Sequence, residues 1–247
     1  MYKVLIYGDK IPQTVDCSIA FHGFEELACD ITVFRDWLCF NKEEFEKFDV
    51  CVGGVNLCHW AFLKLGIKNY NISCYPEQLK DFFHREINQV EVKKVIKEYP
   101  RNKFLKPIRP KQFQAFTTKK MFNSKNISLI NLEEHEKIYV SELVDFKSEW
   151  RVYVNSKEIR NICFYKGDCC LLPDIKTIRT MIKVWKTCPC CYALDVGIVY
   201  NYLKKKFETI LVEINDFYSI GNYGLESVEY AKMLYLRWKE ICSLHVQ

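Results

Sequence analysis

The sequence predicts an α/β domain over residues 1–75, followed by an α+β region over 76–247 built on antiparallel sheets. Three observations predict it. Short apolar strands alternate with helical spacing before residue 75. After Ile138 the runs lengthen and join as hairpins. Between these halves lies a basic stretch, 108–126, without a glycine.

Tyr2 to Tyr7 is apolar, aromatic and β-branched, which suits a strand, and it stops at Gly8-Asp9. Ile31 to Phe34 and Phe48 to Val52 repeat the pattern, the latter ending at Gly53-Gly54. Val55 to Leu65 has helical character and closes on Gly66, a natural C′ residue. Ile67 to Ile72 is expected as a fourth strand of a mainly parallel sheet. Pro76 then opens a long amphipathic helix carrying Leu79, Phe82, Phe83, Ile87, Val90 and Val95, and Pro100 ends it.

Phe104 to Pro107 reads as a short strand closed by its proline, and 108–126 as a strand-loop-strand flap. Ile138 to Val144 is a strand. Glu149 to Val154 and Ile159 to Tyr165 form a hairpin across Asn155-Ser156-Lys157. Ile175 to Trp185 is a helix, and Tyr192 to Val199 pairs with Thr209 to Ile214 in a second hairpin. Ser227 is expected to N-cap a final helix whose apolar face holds Val228, Ala231, Leu234, Trp238 and Ile241.

The net charge of +5 hides a local imbalance. Lys93, Lys94, Lys97, Arg101, Lys103, Lys106, Arg109, Lys111, Lys119, Lys120 and Lys125 share their stretch with one acid, Glu98, giving +10 there and −5 elsewhere. That split excludes a uniformly basic nucleic-acid binder and fits a local site for a phosphate-bearing ligand. Aromatics at 15% exclude a disordered chain. No apolar run approaches the ~20 residues needed to span a bilayer. MYKVLIYGDK is too short and too soon charged for a signal peptide, and thirteen cysteines without one lead us to expect a reduced cytoplasmic compartment. Zinc at Cys188, Cys190 and Cys191 is disfavoured, because the paired two-residue spacing of a zinc ribbon is absent.

The chemistry concentrates on a few strands. In Ile210 to Asp216 an apolar run ends in Glu213 and Asn215, which strand periodicity puts on one face. Asp195 interrupts the preceding apolar strand, where an acid is expensive unless paired or bound to a cation. If the two strands pair, three oxygen donors meet, a set that suits Mg²⁺. Salt-bridged strand residues are the bland alternative. Glu142 and Glu149 flank a short connection and could bind an adenine amino group and ribose hydroxyls. Arg151, on Glu149's face, suits phosphate oxygens. An exposed edge ion pair would use the same residue types.

Four segments in order, FLKP (104–107), SELVDFKSEWRVYV (141–154), ALDVGI (193–198) and TILVEINDFYSIGNYG (209–224), resemble the ATP-grasp fold. In particular they resemble its small clade named for two arginines and a lysine. Tyr75-Pro76-Glu77-Gln78-Leu79 and Arg85 are similar to the domain preceding ATP-grasp there. The resemblance implies antiparallel sheets enclosing a nucleotide. It implies that Lys106 reaches the phosphates of ATP, helped by Lys103, Lys94 or Arg85. Glu142 and Val144 would meet adenine, Glu149 the ribose and Arg151 the phosphates, with Lys106 and Arg151 catalytic. Asp195, Glu213 and Asn215 would hold Mg²⁺.

The implied function is an ATP- and Mg²⁺-dependent carboxylate–amine ligase, ADP-forming through an acyl phosphate. Its acceptor would be a small molecule, a peptide or a protein tail, with no membrane partner. A kinase, an RNA-directed ligase that uses the basic stretch and Phe104, Phe113, Phe116 and Phe122, and an inactive nucleotide-binding protein are the alternatives. Two departures from the family pattern stand out. Ala193 replaces the usual arginine two residues before the metal-binding Asp, with Arg160, Lys166 or Arg179 as substitutes. The phosphate-covering loop also lacks its glycines.

Overall fold

The computed structural model describes residues 1–68, 70–98, 100–118 and 132–244. Its first unit is a small sheet in which β1 (Lys3–Asp9) lies between parallel neighbours β3 (Asp30–Phe34) and β4 (Val50–Val52). β2 (Ile11–Pro12) folds back antiparallel on the end of β1. Val4, Leu5 and Ile6 are fully buried, so β1 is a central strand covered on both faces.

Three helices flank this sheet: α1 (Val15–Glu26), α2 (Lys42–Phe45) and α3 (Val55–Lys64). Helix α1 is not among the expected elements. Its signal is Thr14, whose side chain accepts from the Cys17 N–H, followed by Cys17, Ala20, Gly23 and Phe24 on one buried face.

Two expected elements differ. Residues 67, 68 and 70–72 form no strand. The chain instead crosses to the second half, where the Tyr70 carbonyl accepts from Arg237 and the Cys74 carbonyl from the Ile214 N–H. The long helix from Pro76 is replaced by a 3-10 turn (Glu77–Phe82), strand β5 (Ile87–Glu91) and helix α4 (Val92–Glu98). His84, at φ 48°, breaks the helical path after Phe83.

The second half holds two sheets, each antiparallel throughout. One has the order β5-β8-β6-β7, with β6 (Lys103–Pro107), β7 (Phe116–Thr117) and β8 (Lys137–Glu142). The other has the order β10-β9-β11-β12, with β9 (Ser148–Asn155), β10 (Glu158–Gly167), β11 (Cys191–Asn201) and β12 (Lys206–Asp216). Both expected hairpins are present. Helix α5 (Ile175–Val184) packs Ile178, Met181 and Ile182 against Val152, Leu194, Val196, Leu211 and Ile214 of the second sheet.

The final helix, α6 (Ser227–Ser243), is capped by Glu226 and not by Ser227. The Glu226 carboxylate accepts from the Val228 and Glu229 N–H groups, which holds its pKa below the ordinary value, while Ser227 donates to Glu26 and Glu226. A charged acceptor at a helix N-terminus gains more from the dipole than a hydroxyl does. Among the described residues no helix is long and apolar enough to cross a membrane.

The first unit shares its core with α6: Phe24, Trp37 and Phe62 cluster with Trp238 and Ile241. Helix α1 crosses α6 at Gly23, where a β-carbon would collide with the Ser227 carbonyl and Ala231. Backbone cannot yield as a flexible side chain does. Gly23→Ala is therefore expected to destabilise the chain by about 1–3 kcal/mol, read as a lower urea midpoint at unchanged slope.

Candidate functional site

Alternation along the second sheet separates two environments. Val152, Val154, Leu194 and Val196 face α5, while Glu149, Arg151, Asp195 and Glu213 face a cleft of about 500 Å³ that Lys106 of β6 also lines. Strict alternation in β12 would put Leu211 on Glu213's face. The register shifts by one residue, because Asp195 pairs with Glu213 and Val196 with Leu211. Val212 is thus the extra residue of a β-bulge, and it lets Leu211 and Ile214 enter the core while Glu213 turns to the cleft and Asn215 to an adjoining pocket that Glu213 and Lys106 also line.

A bulge frees backbone groups. Arg85 donates to the carbonyls of Leu211 and Val212, each at 2.7 Å, and to that of Phe83 at 2.9 Å. It lines the cleft but braces the bulge, so much of its hydrogen-bonding capacity is already used.

The polar groups form one connected run with a cation at each end. Lys106 forms an ion pair with Glu213. The Asn215 amide donates to Glu213 Oε1 at 3.3 Å and to Asp195 Oδ2 at 3.0 Å. Arg151 donates bidentately to Asp195, Nε to Oδ1 and Nη2 to Oδ2, each at 2.8 Å. Glu149 accepts from the Tyr165 hydroxyl at 2.9 Å and pairs with Lys166.

Burial pushes the Asp195 carboxyl up to about 6, although Arg151 pulls the other way. Burial also works against charge on Lys106, but Glu213, with Cys74 and Tyr75, outweighs it and the ammonium is held above its usual range. Arg151 is likewise opposed by burial and raised by Asp195.

Asp195, Glu213 and Asn215, expected together, are together. As oxygen donors converging on a partly shielded sheet face they fit a hard cation such as Mg²⁺. Asn215 presents Nδ2 to both carboxylates, so coordination through its oxygen requires the amide to turn over. Glu142 and Val144 line the same cleft. Among the described residues no backbone hydrogen bond engages the Val144 N–H or carbonyl, which leaves both open to a ligand edge.

Other candidates lie elsewhere. Lys103 shares the face of buried Leu105, opposite Lys106, and does not line the cleft. Lys94 pairs with Glu98 on α4. Arg160 pairs with Glu229, and Arg179 is exposed on α5, behind the sheet. Of the three suggested replacements for the missing arginine, Lys166 alone lines the cleft. Ala193 is fully buried in the core shared with the first unit.

Tyr75 and Tyr165 also line the cleft, and neither is assigned to it from the sequence. Tyr165 stacks on Tyr223 with centroids 5.1 Å apart, and the Arg151 guanidinium lies 4.5 Å from the Tyr223 ring centre. Period-2 spacing along β10 from Cys163 and the conspicuous Tyr223 are the available signals.

Part of the basic stretch is paired locally: Lys93 with Glu91, Lys94 with Glu98 and Arg109 with Glu136. Phe113 and Phe116 pack with Leu105 and Ile138. Lys119, Lys120, Phe122 and Lys125, and the distal part of the expected flap, lie outside the described residues. Among the described residues, Asp168, Cys169 and Cys170 are the one group of three His, Cys, Asp or Glu ligand atoms within reach of one another, and all three are exposed. Cys188, Cys190 and Cys191 form no such group.

Two antiparallel sheets with a polar cleft between them, preceded by a small parallel sheet, define an ATP-grasp protein. The chain belongs to family 2 of the ATP-grasp domains in the clade named for two arginines and a lysine, whose model matches residues 82–233. It is similar to a RimK domain ATP-grasp protein from Sphaerobacter thermophilus, with 12% identity, TM-score 0.55, and 99% of this chain and 100% of that chain covered. It is also similar to N5-carboxyaminoimidazole synthase from Aspergillus clavatus in complex with ADP and 5-aminoimidazole ribonucleotide, with 12% identity, TM-score 0.52, and 97% and 79% covered. The Staphylococcus aureus N5-carboxyaminoimidazole synthetase complexed with ADP gives 11% identity, TM-score 0.53, and 97% and 78% covered. No curated protein matches the chain.

Proposed function

We propose that this chain is an ATP-dependent ligase that joins a carboxylate to an amine. The observation that carries the reading is one hydrogen-bonded run, Lys106–Glu213–Asn215–Asp195–Arg151, in which two carboxylates joined by an amide are flanked by a cation from each sheet. Adenine sits against the open backbone of Val144 beside Glu142, and Glu149 takes the ribose hydroxyls. Lys106 and Arg151 bear on the phosphates. Asp195, Glu213 and Asn215 hold Mg²⁺, which when bound neutralises phosphate charge.

An oxygen of the acceptor carboxylate attacks the γ-phosphorus, and the bond from that phosphorus to the ADP oxygen breaks. The amine nitrogen then attacks the acyl carbon, the carbon–phosphate oxygen bond breaks, and the amine proton passes to phosphate or solvent. Lys106 and Arg151 are placed by their carboxylate partners before substrate arrives, so little reorganisation accompanies the transfer. The family membership and the likeness in fold to ATP-grasp structures support this reading.

The test is to incubate the purified chain with ATP, Mg²⁺ and pooled carboxylates and amines, following products by mass spectrometry. A new mass equal to acid plus amine less water, with ADP and phosphate, is the expected result. AMP and pyrophosphate, or a phosphorylated product that accumulates with the amine present, would overturn it.

The raised Asp195 pKa gives a pH dependence. Below about 6 the carboxyl holds a proton that a metal must displace, so apparent Mg²⁺ affinity should fall as pH drops through that value and level off above it. Titrating ATP turnover with Mg²⁺ at pH values of about 5.5, 6.5 and 8 checks the direction. A constant half-saturation would refute it.

A further inference from the structure

A second cavity, of about 390 Å³, lies on the other side of Arg151 and Asn215 from the cleft, between the metal strand and the first unit. Arg151 and Tyr223 border both spaces. Helix α1 contributes Asp16 to this cavity. Asp16 Oδ1 accepts from the Asn222 N–H at 2.7 Å, and among the described residues Oδ2 has no donor.

Across from Asp16 stands Arg151, whose Nη1 is held by the Gly221 carbonyl at 3.0 Å. Gly221 sits between them. A methyl group on its α-carbon would lie 3.8 Å from Asp16 Oδ2 and 4.0 Å from Arg151 Nη1. The two opposite charges are therefore within ~8 Å of one another, and with Gly221 they line the same cavity, where the missing side chain leaves the wall between them open.

We propose that this cradle reads an α-amino acid: Asp16 takes its ammonium group, and Arg151 takes its carboxylate at the border of the nucleotide cleft. The assignment rests on the ligase reading, for which it supplies the acceptor class. An ammonium and a carboxylate on one carbon are held close enough together to meet two opposite charges that lie within ~8 Å, and charge-assisted hydrogen bonds favour each end. A carboxylate without the amine leaves Asp16 unmatched, and an amine without the carboxylate leaves Arg151 unmatched. The amino-acid side chain would extend into the rest of the cavity, toward Tyr218 and Tyr230.

The test uses the full chain and the standard L-amino acids, each with its N-acetyl and α-carboxamide derivatives. Calorimetry measures binding without ATP, and ADP release is measured with ATP and Mg²⁺. One amino acid or a small chemical group of them should bind and stimulate ADP release, with both derivatives at least ~10-fold weaker.

Asp16→Asn keeps an oxygen for the Asn222 N–H but loses the charge, so it should weaken amino-acid binding at least ~10-fold and leave the KM for ATP unchanged. Gly221→Ala makes ordinary contacts, needs no backbone change, and should fold normally yet block the cradle. Equal use of N-acetyl derivatives, an unaffected Asp16→Asn, or no binding by any amino acid would each overturn the proposal. ADP release with amine-free carboxylates would defeat it while leaving the ligase reading standing. Asp16-dependent binding without ADP release would do the reverse.

Discussion

Glu213→Gln is expected to lower ATP turnover by ~10²–10³-fold, with the circular dichroism of the folded chain unchanged. The substitution keeps the shape of a side chain that is 25% exposed, so no cavity forms. Its charge, however, has two roles. It is one of two carboxylates in the proposed Mg²⁺ set, and it holds Lys106 in position. A neutral amide there would leave Lys106 without its anionic partner and leave the cation site with Asp195 as its one charge. A control outside the cleft such as Glu208→Gln, which touches Lys204 at the far turn of the hairpin, should turn over ATP at the parental rate. Full activity in Glu213→Gln would remove the metal assignment.

The site is legible in the sequence where its physics is local. An acid within an apolar strand is conspicuous, and period 2 alone groups Glu213 with Asn215. The pairing of Asp195 with Glu213 needs only the assumption of a hairpin, which β11 and β12 form. What is not legible depends on single residues. The helical spacing of Leu79, Phe82, Phe83, Ile87 and Val90 also fits a turn followed by an edge strand, and the left-handed His84 decides between them. The bulge at Val212 inserts one residue with no sequence mark of its own, and so the brace that Arg85 gives it could not be read in advance. Lys103 and Lys106 look alike in composition, but an odd spacing in a strand sends them to opposite faces.

Distance in sequence hides the rest. Asp16 and Gly221 border one cavity although they stand near opposite ends of the chain, a contact that α1 and the loop after β12 create together. The same loop donates Ser219 Oγ to the Gly53 carbonyl at 2.8 Å. The first unit thus closes one side of the site and helps set its shape.

Arg237→Met is expected to destabilise the chain by about 3–5 kcal/mol, a large effect for a single change. Arg237 is 3% exposed on α6. Its Nε and Nη2 donate to the two Asp216 oxygens at 2.6 Å each, Nη1 donates to Glu240 at 2.8 Å, and Nη2 reaches the Tyr70 carbonyl at 3.3 Å. Burial raises the Asp216 pKa even with Arg237 present, and removing the guanidinium would leave that carboxylate buried and unpaired. Methionine fills the volume, so the loss would report the charge and not a cavity. Asp216→Asn in the same chain should recover part of the loss, because the stranded charge goes with it. Urea unfolding of the two single variants and the double measures the coupling. Asp216 directly follows Asn215 and faces the other way, so the pair also anchors the end of the proposed metal strand to α6. A loss below about 1 kcal/mol in Arg237→Met would show that water or rearranged neighbours satisfy Asp216 and that the strand end needs no such anchor.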